Sequence, residues 1–288
     1  LMYLFEDKNG KKQVVDGRQR ISAILDFLEG KFKLNNLRIL KQFNGCCFAD
    51  LDLKQQGVIE DFQLLFYIIQ PPTPERVKYD IFDRVNRGGT PLNKQEMRNA
   101  LYRGRCTRML DKLCCSPEFL IATGRSINKE RMKDQYVVLR AMAFLMLHRG
   151  EFKDIPALQY RGDIDDFLAR FMVYVNDNAP EKLIVDYENL FIRCMQISYD
   201  LLGENGFRFS GNGIRRPINM PLFEALSYLF SFVPEKIDYT WASRLILDIE
   251  SVKEEFDDSR YFSGNIDSTT SVSFRFDRMD KIINRIQL

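Results

Sequence analysis

The pattern of apolar and polar residues at the start of the chain predicts a β-hairpin followed by a helix. Two short segments of strand character, 2–5 and 13–15, flank the pair Asn9-Gly10, which favours a tight turn between antiparallel strands. Four apolar residues then recur at the spacing of one helix face: Ile21, Ile24, Leu25 and Leu28. We therefore expect a helix over 18–28 that ends at Gly30.

Strand and helix patterns continue to alternate up to about residue 105. Residues 62–69 are rich in aromatic and branched side chains and stop before two prolines, which predicts a buried strand. Helical spacing resumes over 77–85. Asn93, followed three residues later by Glu96, is typical of a capped helix start, here of a helix that runs to about residue 103.

Beyond residue 106 the chain shows helical periodicity, interrupted by Gly, Pro and Asn. The predicted helices span 131–147, 163–175, 181–202, 217–232, 239–256 and 271–286. The segment 203–217, rich in Gly, Asn and Arg, is the expected mobile loop. The pattern thus predicts an α+β protein, with a small α/β core over 1–105 followed by a larger all-helical bundle over 106–288.

Composition is that of a folded chain without a membrane span. Of the 288 residues, 45% are hydrophobic, and no apolar run approaches the roughly 20 residues that cross a bilayer. The first residues lack the features of a signal peptide, so we expect a cytoplasmic protein with reduced thiols. Because the chain opens on Leu1 within a strand, we also expect a further segment upstream. Six cysteines without a CxxC pair, and a single histidine, argue against a structural zinc site.

The net charge of +2 shows no general basic excess, so any contact with DNA would need a local patch. Two clusters of basic residues are candidates. One surrounds a single helix and comprises Arg98, Arg103, Arg105 and Arg108; the other comprises Arg125, Lys129, Arg131, Lys133 and Arg140. For each cluster, a solvated helix face balanced by nearby acids is the alternative.

The turn after the second predicted strand is the strongest candidate for chemistry. Gly17 lets the backbone pass close to a ligand, and the following helix directs its N–H groups and positive dipole end at the same point. Arg18 and Arg20 supply guanidinium groups for phosphate oxygens, and Gln19 could orient a water. Asp16 would repel a phosphate unless a cation such as Mg²⁺ lies between them. The alternative is that Asp16 caps the helix and the arginines are solvated.

A resemblance to a known family gives this turn more weight. The segment Asp16-Gly17-Arg18-Gln19-Arg20 resembles the D-G-Q-Q-R signature of the GmrSD-type restriction endonuclease N-terminal domain family, with Arg18 where the family more often has Gln. A second segment, 81–96, is similar to the family's F-x-R-x-N-x-G-x-x-L-x-x-x-E motif. Residues 131–140 and 268–282 resemble less specific parts of its helical region.

The resemblance implies a core related to ParB and sulfiredoxin, in which the signature turn binds a nucleoside triphosphate. The nucleotide site would be formed by Asp16, Gly17, Arg18, Gln19 and Arg20, and completed by Arg84, Asn86 and Gly88. Asp16, Gln19 and Arg20 would carry catalysis, with Asp16 as the candidate ligand of Mg²⁺. Members of the family are associated with microbial restriction of modified phage DNA. For the second segment, an ordinary glycine turn before a capped helix is the alternative.

Two features depart from the family. A Q-R-x-x-W-like segment, which in relatives packs by the signature turn, is absent, so we expect the site to be incomplete in this chain. Many relatives also carry an HNH-type nuclease part, which depends on histidine. The single histidine, His148, lies at a predicted helix C-terminus, where the dipole favours it, and cannot build such a centre.

Three functions remain open from the sequence. The first is a nucleotide-binding and hydrolysing sensor module that gates a nuclease on a separate subunit, with DNA as a further partner. The second is a ParB-like metal-dependent DNA nuclease that uses the available carboxylates: Asp16, Asp80, Asp83 and Glu96. The third is a non-enzymatic DNA- or protein-binding module. We take the first as the prediction.

Overall fold

A computed structural model describes residues 2–6, 10–70, 72–73, 77–78, 81, 92–210, 215–234 and 238–286. By its contacts the chain divides into two units, Leu1–Pro91 and Leu92–Leu288. The helix that begins at Lys94 therefore groups with the second unit, whereas the sequence prediction assigned it to the first domain. A small sheet-containing unit followed by a larger helical one confirms the predicted α+β class.

The first unit contains a three-stranded sheet. Strand β1 (Met2–Glu6) pairs antiparallel with β2 (Lys12–Asp16) and parallel with β3 (Phe66–Ile69), in the order β2-β1-β3. The predicted hairpin of the first two strands is confirmed. Strand β3 lies at the edge of the described sheet, and Tyr67 is 54% exposed, with Ile68 on the opposite face also exposed. The prediction that this strand is buried is therefore wrong.

Helix α1 (Arg18–Leu28) begins and ends where the periodicity predicts. It stops because Gly30 has a φ of +73° and donates its amide to the carbonyl of Phe27, which ends the helical repeat. Phe27 is buried in this helix, whereas Leu25 on the predicted inner face is half exposed. Helix α2 (Leu53–Glu60) was not predicted; Asp52 caps its first turn.

The second unit is helical throughout its described part. Its α-helices are α3 (Lys94–Leu101), α4 (Arg105–Cys114), α5 (Pro117–Ala122), α6 (Lys133–His148), α7 (Ile164–Asp177), α8 (Glu181–Leu202), α9 (Met220–Phe230), α10 (Tyr239–Asp257) and α11 (Thr269–Ile286). Helices α4 and α5 were not predicted. Of the predicted mobile loop 203–217, residues 211–214 lie outside the described residues, whereas Phe207 and Arg208 are buried. Among the described helices, none is both long and apolar enough to cross a membrane.

Helix α9 occupies the centre of the second unit. Every residue from Pro221 to Phe230 is buried, as expected for a helix that is apolar around its whole circumference. It packs against α6, α8 and α11. The ring of Phe223 contacts three other phenylalanine rings, of Phe119, Phe191 and Phe207. These contacts form the main hydrophobic core.

A cluster of charged side chains is enclosed in this core. The carboxylate of Glu224 in α9 accepts hydrogen bonds from Arg140 in α6 and, at 3.0 Å, from Arg275 in α11. All three side chains are at most 1% exposed, and Arg140 also pairs with Asp267 at 2.6 Å. A charge that loses its partner in such surroundings cannot be solvated, so each member depends on the others.

Candidate functional site

The predicted turn joins the end of β2 to the start of α1. Strand β2 ends at Asp16, Gly17 has a φ of +97°, and α1 begins at Arg18. This φ lies in the left-handed region, which disfavours any residue with a side chain. Space excludes a side chain as well, because a Cβ on Gly17 would lie 2.7 Å from both Cγ and Sδ of Met2 in β1. Glycine is thus required by backbone conformation and by packing.

The charged residues of the turn pair with each other. Arg20 Nη2 donates to Oδ2 of Asp16, one helical turn earlier. Because the two side chains are 52% and 24% exposed, the pair contributes at most about 1 kcal/mol and can open for a ligand. Asp16 does not cap α1, since the cap position is Gly17 and no side chain bonds there. The interpretation of Asp16 as a helix cap is therefore wrong.

The start of α1 is exposed and electropositive. Among the described residues no side chain caps it, its first turn holds no acidic residue, and Arg18 and Gln19 are exposed. The helix dipole places about half a positive charge at this end. The N–H groups of the first turn and the guanidinium of Arg18 can together accept an anion such as a phosphate group.

A metal ion would find one carboxylate at this turn, that of Asp16. Within the described ranges no group of three or more His, Cys, Asp or Glu side chains could hold a metal ion. Mg²⁺ is often held by one or two carboxylates together with phosphate oxygens of a substrate. Asp16 therefore fits Mg²⁺ only as part of a site that a bound polyphosphate completes.

Of the second predicted segment, 81–96, the structure describes residues 81 and 92–96. Three of its predicted site residues lie outside the described residues: Arg84, Asn86 and Gly88. Asn93 Oδ1 accepts from the amides of Gln95 and Glu96, at 2.8 and 2.9 Å, and Glu96 accepts from the amide of Asn93 at 2.7 Å. The predicted capping box of α3 is thus confirmed. Glu96 also pairs with Arg131 at 3.0 Å, so it connects α3 to the segment before α6.

His148 is a member of the aromatic core. Its ring stacks on Phe276 with 3.6 Å between centroids, and its Nε2 is enclosed without a hydrogen-bond partner among the described residues. Burial lowers its pKa to about 3, so the imidazole is neutral. His148 does end α6 as predicted, but a neutral ring gains nothing from the dipole, and that part of the prediction is wrong. Packing holds it there.

Each of the two predicted basic clusters contains one arginine that is buried in the structure. Arg98 is 0% exposed and donates to Asp165 at 2.8 Å, and Arg140 belongs to the charged cluster of the core. The exposed members that remain are Arg103, Arg108, Arg125, Lys129, Arg131 and Lys133. A sequence reading cannot separate buried from exposed arginines when both have helical spacing. DNA as a partner stays a prediction.

The sheet, the left-handed Gly17 and the exposed start of α1 belong to a small α+β domain. The turn between β2 and α1 has the features that can accept an anion. Residues 2–103 match the family described as GmrSD restriction endonuclease, N-terminal domain. This match confirms the family that the two motifs predicted for this part of the chain, and it indicates a module of a restriction or defence protein. It covers 102 of the 288 residues, and most of the helical unit lies beyond it. No curated protein and no solved structure matches the chain.

Proposed function

We propose that the chain binds and hydrolyses a nucleoside triphosphate at the Gly17 turn, as the sensor or regulatory module of a microbial restriction or anti-phage defence protein. The observation that carries this proposal is the uncapped, exposed start of α1 behind a left-handed glycine, within residues that match the GmrSD-type domain. In this proposal the module has no HNH nuclease centre. It gates a nuclease on a separate subunit, with DNA as the sensed partner.

The phosphates would lie at the start of α1. Gly17 does not itself open room for the ligand, because Met2 fills the space that a side chain would take; its left-handed conformation brings the chain from β2 directly into α1. The N–H groups of the first turn of α1 would bind phosphate oxygens together with Arg18. Arg20 would exchange the carboxylate of Asp16 for a phosphate oxygen. That exchange is inexpensive, since it gives up an exposed pair of at most about 1 kcal/mol for another charge-assisted hydrogen bond.

Hydrolysis needs a positioned water and compensation of the charge that develops on the phosphate oxygens. Gln19 is exposed beside Arg18 and can orient the water by its side-chain amide. Arg20 supplies positive charge at the transferred group. Asp16, once released from Arg20, is the carboxylate that would hold Mg²⁺, which contributes further charge compensation when bound.

A thermal-shift screen across the nucleoside triphosphates, each with Mg²⁺, tests binding. A ligand present at 100 times its Kd stabilises the folded state by about 2.7 kcal/mol, so the triphosphate that fits should raise the melting temperature. Asp16→Ala and Arg20→Ala should lose this shift. Arg38→Ala, which removes another exposed arginine of the first unit, should keep it. If no triphosphate shifts the wild-type chain, the proposal fails and a non-enzymatic binding module is favoured.

Phosphate release by the purified chain tests hydrolysis. A hydrogen bond to a charged group is worth about 1.5–3 kcal/mol, so Arg20→Ala should slow release by roughly tenfold to a hundredfold. Unchanged release in both Arg20→Ala and Asp16→Ala would contradict the proposal. Metal-dependent nicking of plasmid DNA that Asp16→Ala abolishes would instead indicate the metal-dependent nuclease. Of its other carboxylates, Asp80 and Asp83 lie outside the described residues, and Glu96 serves the capping box.

A further inference from the structure

The second unit contains a cavity of about 490 Å³ between the start of α3 and the segment that leads into α6. Its size falls within the about 300–1,000 Å³ that small-ligand sites occupy. One of its lining residues is acidic, Glu130, and four are basic: Lys94, Arg98, Arg131 and Lys133. The excess of basic residues favours an anionic ligand.

Arg98 is the most informative residue of the cavity wall. Its side chain is fully buried; Nη1 donates to Asp165 at 2.8 Å and Nε donates to Gln95 at 3.0 Å. Its Nη2 is also enclosed, yet it has no hydrogen-bond partner among the described residues. Native structures rarely bury a donor without a partner, because the donor gives up its hydrogen bond to water on folding and gains none in the protein. An acceptor brought by a ligand, drawing the guanidinium slightly towards the cavity, would satisfy it.

The positive charge of the wall is only partly neutralised. One carboxylate, that of Asp165, serves both Lys94 and Arg98. Lys133 is exposed, and the described part of the chain shows no ion pair for it. The carboxylate of Glu130, on the same wall, accepts from the side-chain amide of Asn128 at 2.9 Å and pairs with no cation among the described residues. An anion in the cavity would therefore contact at least one cation, Lys133, that forms no ion pair with a carboxylate of the described residues.

The backbone beside the cavity is held in an unusual conformation. Arg131 and Met132 are consecutive residues with φ of +56° and +59°, a left-handed conformation that residues with side chains rarely adopt. The side-chain Nδ2 of Asn93 donates to the backbone carbonyl of Arg131 at 2.6 Å and holds this segment against the start of α3. Helix α6 begins directly after it without a side-chain cap. The carboxylate of Asp134 in its first turn offsets the positive dipole end, so the positive charge of the wall comes from its basic side chains.

We propose that this cavity binds a small phosphorylated ligand, whose phosphate contacts Lys94, Arg98 and Lys133. The residues that line the cavity belong to the second unit, whereas the Gly17 turn belongs to the first. It goes beyond the proposed nucleotide site, and the two can fail independently.

Isothermal titration calorimetry with inorganic pyrophosphate, at constant ionic strength and without Mg²⁺, tests the proposal. The full chain carrying Arg20→Ala serves as the reference, because the substitution weakens binding at the Gly17 turn. Pyrophosphate should bind this reference at one site. Adding Lys94→Gln and Lys133→Gln should raise the Kd by roughly tenfold or more, as expected for the loss of charge-assisted contacts. Lys182→Gln, which removes one exposed positive charge from α8, should leave the Kd unchanged.

A second substitution tests the role of Arg98 itself. Arg98→Lys keeps the positive charge beside Asp165 but removes the unpartnered nitrogen, so pyrophosphate should bind severalfold more weakly; circular dichroism checks that the variant folds. If it does not fold, the lysine pair decides. The proposal is overturned if the reference does not bind pyrophosphate, or if the lysine substitutions leave the Kd unchanged. It is also overturned if pyrophosphate does not bind but a thymidine decamer without terminal phosphates does, and if that binding is lost with Lys94→Gln and Lys133→Gln. The site would then recognise a DNA backbone.

Discussion

Substitution of Gly17 by alanine tests the geometry of the signature turn directly, because the chain offers a matched control. Gly17 and Gly30 stand at the two ends of α1 and have φ of +97° and +73°. A Cβ on Gly17 would overlap Met2, whereas a Cβ on Gly30 would have no atom of the described residues within 4 Å. The two substitutions therefore share the backbone penalty and differ in the overlap.

The expected magnitudes follow from these two terms. A left-handed conformation costs an alanine about 1–2 kcal/mol, offset by about 0.4–1 kcal/mol because alanine makes the unfolded chain less flexible. Gly30→Ala should therefore cost about 1 kcal/mol. Gly17→Ala should cost about 2–4 kcal/mol, since forcing extra atoms into a packed site adds about 1–3 kcal/mol. In the double variant with Met2→Ala, the overlap is relieved, and the summed costs should exceed the measured cost by about that amount.

Native-state hydrogen exchange of the α1 amides is the suitable assay, because it reports the opening free energy of this unit alone. The only tryptophan, Trp241, lies in the second unit and is not a probe for the turn. Equal losses of protection in Gly17→Ala and Gly30→Ala would refute the argument from packing. So would strict additivity of Gly17→Ala and Met2→Ala.

Three further predictions concern the second unit. Glu224→Gln should lower the free energy of unfolding by about 3–5 kcal/mol, since it leaves two buried guanidinium groups without their carboxylate. The control Glu255→Gln removes a carboxylate from a partly exposed ion pair and should cost less than about 1 kcal/mol. Equal losses of the two variants in urea titrations would contradict this expected difference. Because the pKa of His148 falls from 6.5 to about 3 on folding, only the unfolded chain takes up this proton as the pH falls from 6.5 to 5, and the free energy of unfolding should fall by about 2 kcal/mol. His148→Phe should remove this contribution to the pH dependence of the free energy of unfolding. An unchanged pH dependence in the variant would exclude His148 as its source. Cys115 is exposed and should react with a thiol reagent well before Cys106, whose thiol is buried with a raised pKa; early loss of both thiols at the same rate would contradict the packing of α4.

Periodicity predicts a helix only where the apolar residues form a stripe that the core covers. Helix α2 escaped prediction because its apolar residues face solvent: Leu53 is 87% exposed and Val58 is exposed as well. A capping box was nevertheless present, since Asp52 accepts from the amide of Gln55 at 2.8 Å and Gln55 accepts from that of Asp52 at 3.1 Å. Cap signals can thus locate helices that hydrophobic patterns miss.

Helix α4 was missed for a different reason. Its buried apolar residues have ideal helical spacing: Cys106, Met109, Leu110, Leu113 and Cys114. Two of them are cysteines, whose thiols were considered only as redox groups and metal ligands. Free cysteine is among the most buried residue types and behaves as a small apolar side chain. Counted as apolar, the two cysteines complete the stripe.

The signature turn could be located from the sequence because its components are adjacent in the chain. Spacing did not determine the partner of Asp16, since both the first amides of α1 and the side chain of Arg20 are within its reach; the left-handed Gly17 takes the cap position. The cavity of the second unit has no such local pattern. Its two walls, 93–98 and 128–136, are brought together by folding. The sequence held one hint of this cavity. The second family motif, 81–96, ends in the wall 93–98, and the less specific resemblance over 131–140 overlaps the wall 128–136.

The enclosed charges of the core have a consequence for how this chain can change during evolution. Glu224 pairs with two arginines from two different helices. A substitution at any one of the three positions therefore leaves a buried charge on another helix without its partner. Each intermediate on the way to an apolar core is less stable than either end point. Among relatives that share the helical unit, we therefore expect the three residues to be kept together or replaced together, and their joint presence or absence should mark lineages of the unit more clearly than any one of them.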